Sequence, residues 1–349
     1  MTINVIGHFG GKQNFQDGQT VKTRSVFEAL KKCDIAKIRS TDTYYLKRNP
    51  VRFFAQFLKA LLFDKKIVVL LSQNGRKYIF PVLFFFSKFF NKHIYHYTIG
   101  GWFANNAVKN KKILKYIASF EANWVESPKM VKTLNSANVN NVKFVPNFKN
   151  LNVTDKLSED DERNKAPFRF CTFSRVVREK GIEDAIEAIQ RLNGNCGKTV
   201  ATLDIYGPVD ETYKSHFEHI MTTLDDSIHY KGVVEAKKSV EVLENYYMLL
   251  FPTFWTGEGM PGTVIDALAS GLPIIARNWE FCEDMLTDSH TALIYDFDKP
   301  QLLCDKIRYA VEHPEIIRAM RTECVIEAEK YKEENVLKIL LKDMGLSDD

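Results

Sequence analysis

Acidic residues are scarce in the first half of this chain. Residues 1–150 hold 7 Asp and Glu against 25 Lys and Arg, a balance of +18, which leaves 37 acids against 23 bases in the remainder, or −14, and a net charge of only +4. So lopsided a segment points to an anionic partner, with lipid head groups, nucleic acid and a phosphorylated acceptor as candidates. Zinc-finger, RNA-recognition and helix-turn-helix patterns are all missing, which sets nucleic acid aside. The six cysteines (Cys33, Cys171, Cys196, Cys282, Cys304 and Cys324) include no C-x-x-C pair. That spacing speaks against a zinc site or a disulfide framework and leaves them as packing residues. No apolar run reaches the ~20 residues a bilayer span requires; Tyr78–Phe90 comes nearest and is interrupted by Lys88. Nor does a basic stretch followed by an apolar one open the sequence, since Met1–Gly7 reads as a short first strand. A cytoplasmic protein, at most peripheral on a membrane, is expected.

What is present reads as α/β. A chain of 349 residues, 45% hydrophobic and 26% charged, is long enough for two domains with separate cores. Short apolar runs (Ile3–Gly7, Ile67–Ser72, His93–Ile99, Asn123–Val125) alternate with helical patterns near 21–32, 51–63, 76–90, 109–120 and 128–136, the rhythm of a parallel sheet with crossover helices. The rhythm pauses at Val145-Pro146-Asn147-Phe148 and in the charged stretch Asp155–Ala166, then resumes from Phe168 to Ala276. This predicts an N-terminal domain over 1–150 and a second over 151–330. Within Val51–Phe63, residues Phe53, Phe54, Phe57, Leu58, Leu61 and Leu62 fall on one side of a helix. Two readings stand: this face packs on its own sheet, or it docks on a membrane surface.

Two segments of the second half carry chemistry. Ser174-Arg175-Val176-Val177-Arg178-Glu179-Lys180-Gly181 leaves a strand and enters a helix, so Arg175 and Lys180 stand at a strand's carboxyl end, suited to a diphosphate. A solvated basic turn would read the same. Farther on, Thr256-Gly257-Glu258-Gly259-Met260-Pro261-Gly262-Thr263 leads into a helix ending near Gly271, with Asp266 eight residues after Glu258. Glycines let backbone approach a ligand, the helix start offers N–H donors, and carboxylates suit sugar hydroxyls.

At these residues the chain resembles the retaining, GT-B-fold glycosyltransferases that include sucrose synthases and phosphatidylinositol mannosyltransferases. The likeness runs from about Phe168 to Leu293 and includes Ile205-Tyr206-Gly207-Pro208, Tyr230-Lys231-Gly232-Val233-Val234, Phe251-Pro252-Thr253 and Ala267-Leu268-Ala269-Ser270-Gly271-Leu272-Pro273. The N-terminal half matches loosely, through Gly10-Gly11 and Val145-Pro146-Asn147. The resemblance implies two facing Rossmann-like domains with a cleft between them, acceptor in the first and nucleotide-sugar in the second, and a C-terminal segment, 331–349, that crosses back onto the first. By it, Arg175 and Lys180 bind the donor diphosphate, and Ser174, Gly207 and amides of Gly259, Met260, Pro261–Gly262 and Thr263 surround phosphate and sugar. Glu258 touches the transferred sugar, Gly232–Val234 line the base, and Gly10-Gly11 close over the diphosphate.

Two departures stand out. The second acid of the family pattern is usually Glu, on the ribose; here Asp266 is one methylene shorter, so a water or a shifted nucleotide completes the contact. Where many members carry a donor-facing His, this chain reads Tyr97-Thr98-Ile99-Gly100-Gly101-Trp102, with His96 expected in or behind the strand. Asp296-Phe297-Asp298 imitates a metal-binding D-x-D, but Lys299-Pro300 and a helical pattern follow, so Asp298 is read as an N-cap and no metal is expected. The implied reaction is sugar transfer with retention, most simply from a UDP-sugar, to a glycan or lipid-linked acceptor at an anionic membrane face in polysaccharide or glycolipid synthesis. The alternatives are an inactive GT-B subunit that supports a partner transferase and, on the weak Gly7-x-x-Gly10-Gly11 pattern, a sugar-nucleotide epimerase or NAD enzyme.

Overall fold

The computed structural model describes residues 1–13, 15, 17–154 and 162–347. Most of the charged stretch read as a linker, at 155–161, and the last two residues of the returning C-terminal segment lie outside the described residues. The chain divides into two compact units, Met1–Asn150 with Tyr331–Asp349, and Leu151–Lys330. Among the described residues, each is built on a six-stranded sheet in which all strand pairs are parallel.

Unit one runs β1 (Thr2–Gly7), α1 (Gly18–Lys32), β2 (Lys37–Asp42), α2 (Tyr45–Arg48), α3 (Pro50–Phe63), β3 (Lys66–Leu70), α4 (Gln73–Phe89), β4 (His93–Tyr97), α5 (Phe103–Val108), α6 (Lys111–Ile117), β5 (Ala122–Val125), α7 (Pro128–Asn135) and β6 (Val142–Phe144). Its strand order is β2-β1-β3-β4-β5-β6. The central strands are almost wholly buried, as parallel strands covered on both faces must be. Polar side chains set the helix starts: Asp17 accepts from Thr20 N, Asn49 from Arg52 N ahead of Pro50, and Ser127 from Lys129 N and Met130 N ahead of Pro128.

Unit two runs β7 (Phe168–Phe173), α8 (Ile182–Cys196), β8 (Ala201–Tyr206), α9 (Lys214–Met221), β9 (Ile228–Gly232), α10 (Ser239–Leu243), β10 (Met248–Phe251), α11 (Gly262–Ala269), β11 (Ile274–Arg277), β12 (Ala292–Tyr295), α12 (Leu302–Glu312) and α13 (Pro314–Ala328). The order β12-β11-β10-β7-β8-β9 reverses direction between β7 and β10. Ligands of open α/β sheets bind at that reversal, outside the carboxyl ends of the strands. A last helix, α14 (Glu333–Asp343), packs Val336 and Leu340, followed by Met344, into the core of unit one beside Val5, Val26 and Trp124.

Three expectations need correction. Strands β2, β6 and β12 escape the sequence reading: β2 (KIRSTD) and β6 (VKF) are edge strands with little apolar patterning. Asp298 is not an N-cap; α12 starts at Leu302, and the preceding turn is closed by Leu302 N donating to Lys299 O (3.1 Å). The apolar side of α3 is divided: Phe53, Phe57, Ala60 and Leu61 are buried, whereas Phe54, Leu58 and Leu62 are each more than half exposed.

Candidate active site

At the carboxyl end of the second sheet, four loops converge because glycines let their backbones touch. Ser174 N donates to Tyr206 O (3.1 Å), and Val176 N to Pro208 O (2.9 Å), carrying the β7–β8 pairing past the strand ends. Gly207 has φ +133°, and a Cβ there would stand 1.8 Å from Ser174 O, so no other residue permits this approach. The next loop joins through Gly207 N, which donates to Gly232 O (2.8 Å). It places Gly232–Val234 beside Gly207, with Val234 half-buried.

The short turn Arg178–Lys180 ends at Gly181, φ +71°, where a Cβ would lie 2.3 Å from Pro252 O. That contact brings the start of α8 against the loop after β10, and Phe254 N donates to Glu179 O (2.9 Å) to fasten the two. Lys180 thereby reaches Glu258. Its ammonium forms an ion pair with Oε2, and the same oxygen accepts from the Thr253 hydroxyl at 3.1 Å. The two side chains are 16% and 11% exposed, so the pair is shielded yet reachable. Two motifs 78 residues apart thus meet in one ion pair.

The glycine-rich loop is held from both sides. Trp279 Nε1 donates to Gly259 O (3.1 Å), and the Thr263 hydroxyl donates to Phe173 O, pinning the first turn of α11 to the end of β7. The amides of Gly262 and Thr263, at a helix start, precede any carbonyl that could take them within the helix, so their partial positive charge faces the same end of the sheet. Asp266 lies in the next turn and is 3% exposed. Arg175 stands apart: its guanidinium is 56% exposed and lies 3.7 Å from Asp210, whose carboxyl the Thr212 hydroxyl and amide hold below its ordinary pKa. Thr253, Trp279 and Asp210 carry no role in the sequence reading; only Thr253, within Phe251-Pro252-Thr253, lies in a segment the sequence marks.

In unit one, Gly10 (φ +80°) and Gly11 (φ +61°) shape the loop after β1. Asp42, at the end of β2, accepts from Phe9 N (2.9 Å), Gly11 N (2.8 Å) and Tyr44 N (2.9 Å), so the Gly11 amide is spent on the loop itself. After β4, Lys22 donates to Thr98 O (2.9 Å) and pairs with Glu126; burial outweighs this partner and lowers the lysine's pKa. His96 is buried between Phe80 and Phe103, with Nδ1 3.2 Å from Asn123 Oδ1, and Trp102 is 41% exposed. Among the described residues, no group of three His, Cys, Asp or Glu side chains is placed to hold a metal ion, and no helix is long and apolar enough to cross a membrane.

Known proteins share this fold. The HepE protein of Anabaena, solved in complex with UDP, superposes with a TM-score of 0.74 at 11% identity, over 99% of this chain and all of that one. A sucrose-phosphate synthase from Thermosynechococcus elongatus gives 0.76 at 15% identity, over 98% and 97%. These likenesses show the fold to be GT-B. An uncharacterised glycosyltransferase of Methanocaldococcus jannaschii is 26% identical over 176 residues, 48% of this chain and 41% of that protein, so the match spans under half of that relative's length. The family model of glycosyl transferases group 1 matches residues 153–330, just over half of the chain and nearly all of unit two. The chain therefore belongs to the glycosyl transferases group 1 family.

Proposed function

We propose that this protein is a retaining glycosyltransferase that takes its sugar from a UDP-sugar and passes it to a glycan or lipid-linked acceptor at an anionic membrane face. The observation that carries the reading is the Lys180–Glu258 pair beside the start of α11, at the strand-order reversal of the second sheet. The UDP complex of the similar HepE protein supports the choice of base.

In this reading the diphosphate enters as a second anionic partner for Lys180, joined by exposed Arg175 and the Gly262 and Thr263 amides. Glu258, held by Thr253, is then free to accept from hydroxyls of the transferred sugar. Gly232–Val234 flank the base, and Asp266 serves the ribose. As the bond to the anomeric carbon breaks, charge grows on the leaving phosphate, and the cations already in place stabilise that transition state more than the ground state. A leaving phosphate oxygen takes the proton of the attacking acceptor hydroxyl on the same sugar face, which preserves configuration without a protein nucleophile. Arg175, Lys180 and the helix start supply positive charge in the role a divalent ion plays elsewhere, so metal independence belongs to the proposal.

Calorimetry with UDP, GDP, ADP and CMP, on wild type and on Lys180→Ala, tests the donor site. UDP binding is expected to be selective, unchanged by EDTA, and at least tenfold weaker in the variant, with slow release of free sugar from the matching donor. No binding of any nucleotide would remove the donor site, and binding undiminished in Lys180→Ala would remove this lysine from it. The anomeric configuration of the product, read by NMR, decides retention.

A further inference from the structure

Helices α3 and α4 each carry an apolar stripe that the fold does not cover. The crossovers from β2 to β3 and from β3 to β4 run the same way along the first sheet, so the right-handed rule for parallel units sets both helices on one face of it. Lys92, just beyond α4, donates to Leu62 O (3.1 Å) and Asp64 O (3.0 Å), joining the two carboxyl-terminal ends. On α3, Val51, Phe54, Leu58 and Leu62 follow the i, i+3, i+4 spacing of one face and are 80%, 57%, 54% and 54% exposed; Phe63 extends the row. On α4, Phe85 and Phe89 are exposed with their ring centroids 5.0 Å apart, and Phe90 lies beside them. Nine of the twenty large apolar side chains exposed among the described residues belong to residues 51–90, a concentration that marks an interaction surface.

Its charge selects the partner. Residues 43–120 contain fourteen Lys and Arg and a single acid, Asp64, which is fully buried and ion-paired with Arg39. Lys59, Lys65, Lys77 and Lys88 are exposed along the same two helices and the turn after α3. An interface with a second copy would set two cationic rims against each other. Phenylalanines rimmed by lysines, on two helices that carry no carboxylate of their own and with exposed Glu121 already paired to His93, instead match the acyl boundary and head groups of an anionic leaflet.

We propose that α3 and α4 dock this protein on an anionic bilayer by inserting Phe54, Leu58, Phe89 and their neighbours below the head groups while the surrounding lysines hold the phosphates. The proposal rests on the peripheral placement above and adds the surface and the mode. Charge alone predicts binding that salt abolishes, whereas insertion leaves a salt-resistant fraction.

Sedimentation with phosphatidylcholine vesicles, with and without phosphatidylglycerol, tests it on the full chain. Wild type is expected to prefer the anionic vesicles and to keep some of its binding in 0.5 M salt. The triple variant Phe54→Ser/Leu58→Ser/Phe89→Ser should bind at least tenfold more weakly, and Ile326→Ser, an exposed apolar position in unit two, should bind as wild type. A Phe54→Trp reporter should shift to the blue on vesicles and be quenched by lipids brominated near the head group; a wild-type-like melting transition of unit one in each unit-one variant shows that it is folded. Equal binding by wild type and the triple variant would overturn the docking surface while leaving peripheral placement standing. No binding of wild type would overturn both and leave the donor-site test untouched. Concentration-dependent dimers of wild type that the triple variant does not form, with no difference on vesicles, would assign the surface to a second copy instead.

Discussion

Gly207 and Gly197 both have positive φ, yet their surroundings differ. A Cβ at Gly207 collides with Ser174 O, while one at Gly197, the cap of α8, meets nothing within 4 Å. Gly197→Ala should therefore cost only the left-handed strain, about 1–2 kcal/mol. Gly207→Ala must push the two backbones apart; we expect about 2–4 kcal/mol of lost stability and at least a tenfold loss of UDP affinity. Urea melts and calorimetry on the two variants check the contrast, and equal effects on UDP binding would show that this approach does not shape the donor site. Lys180 and Glu258 were legible as charges at strand ends, since they stand in motifs whose residue types and order announce it. Their bonding to each other was not, because it depends on Gly181 meeting Pro252 and on the Thr253 hydroxyl, contacts across 71 and 5 residues that no local pattern encodes.

Elements, too, were legible where burial imposes a pattern. Strands β7 and β8 follow the apolar runs of the sequence to the residue, because they are central and covered. Strand β2 holds Lys37, Arg39 and Ser40 at the sheet's edge and leaves no such mark. Periodicity located α3 but could not say which side of a broad apolar surface faces the sheet, since that depends on where the chain enters the helix. Strand β4 offers a test of its own. His96 is buried beside Arg76, whose guanidinium burial lowers to about 10, and near Lys22; burial first and these cations next keep its pKa well below 6.5. The folded state thus holds His96 neutral, while the unfolded chain takes up a proton below about pH 6.5. Stability is then full above that pH and falls as pH drops through the unfolded value, by at most about 1.4 kcal/mol per unit from this group. Urea melts of unit one between pH 7.5 and 5.5 should show this slope, and His96→Gln should flatten it; an unchanged slope would assign the loss to other groups.

At the scale of the molecule, the last segment governs unit one. Beyond its apolar contacts, α14 gives Asp343, which accepts from Trp124 Nε1 at 2.6 Å and pairs with Lys143; Tyr331 and Glu333 hydrogen-bond through their backbones with Lys149. Unit two closes its sheet within 151–330 and needs none of these. A chain ending at Lys330 should lose the melting transition of unit one or shift it strongly downward, while unit two keeps its transition. Added UDP at a hundredfold excess over its Kd should still raise unit two by about 2.7 kcal/mol. Loss of both transitions in differential scanning calorimetry would mean that the units fold as one.

This return of the chain also fixes an order in time. A ribosome adds about 5–20 residues per second, so after Asn150 emerges, the 180 residues of unit two are made before Tyr331 appears, a wait of roughly 10–40 s. Throughout it, the surface formed by Val5, Val26 and Trp124 lacks its covering helix. The first half to be born is thus the last to be finished, and in the cell it depends on whatever shields bare apolar surface on nascent chains.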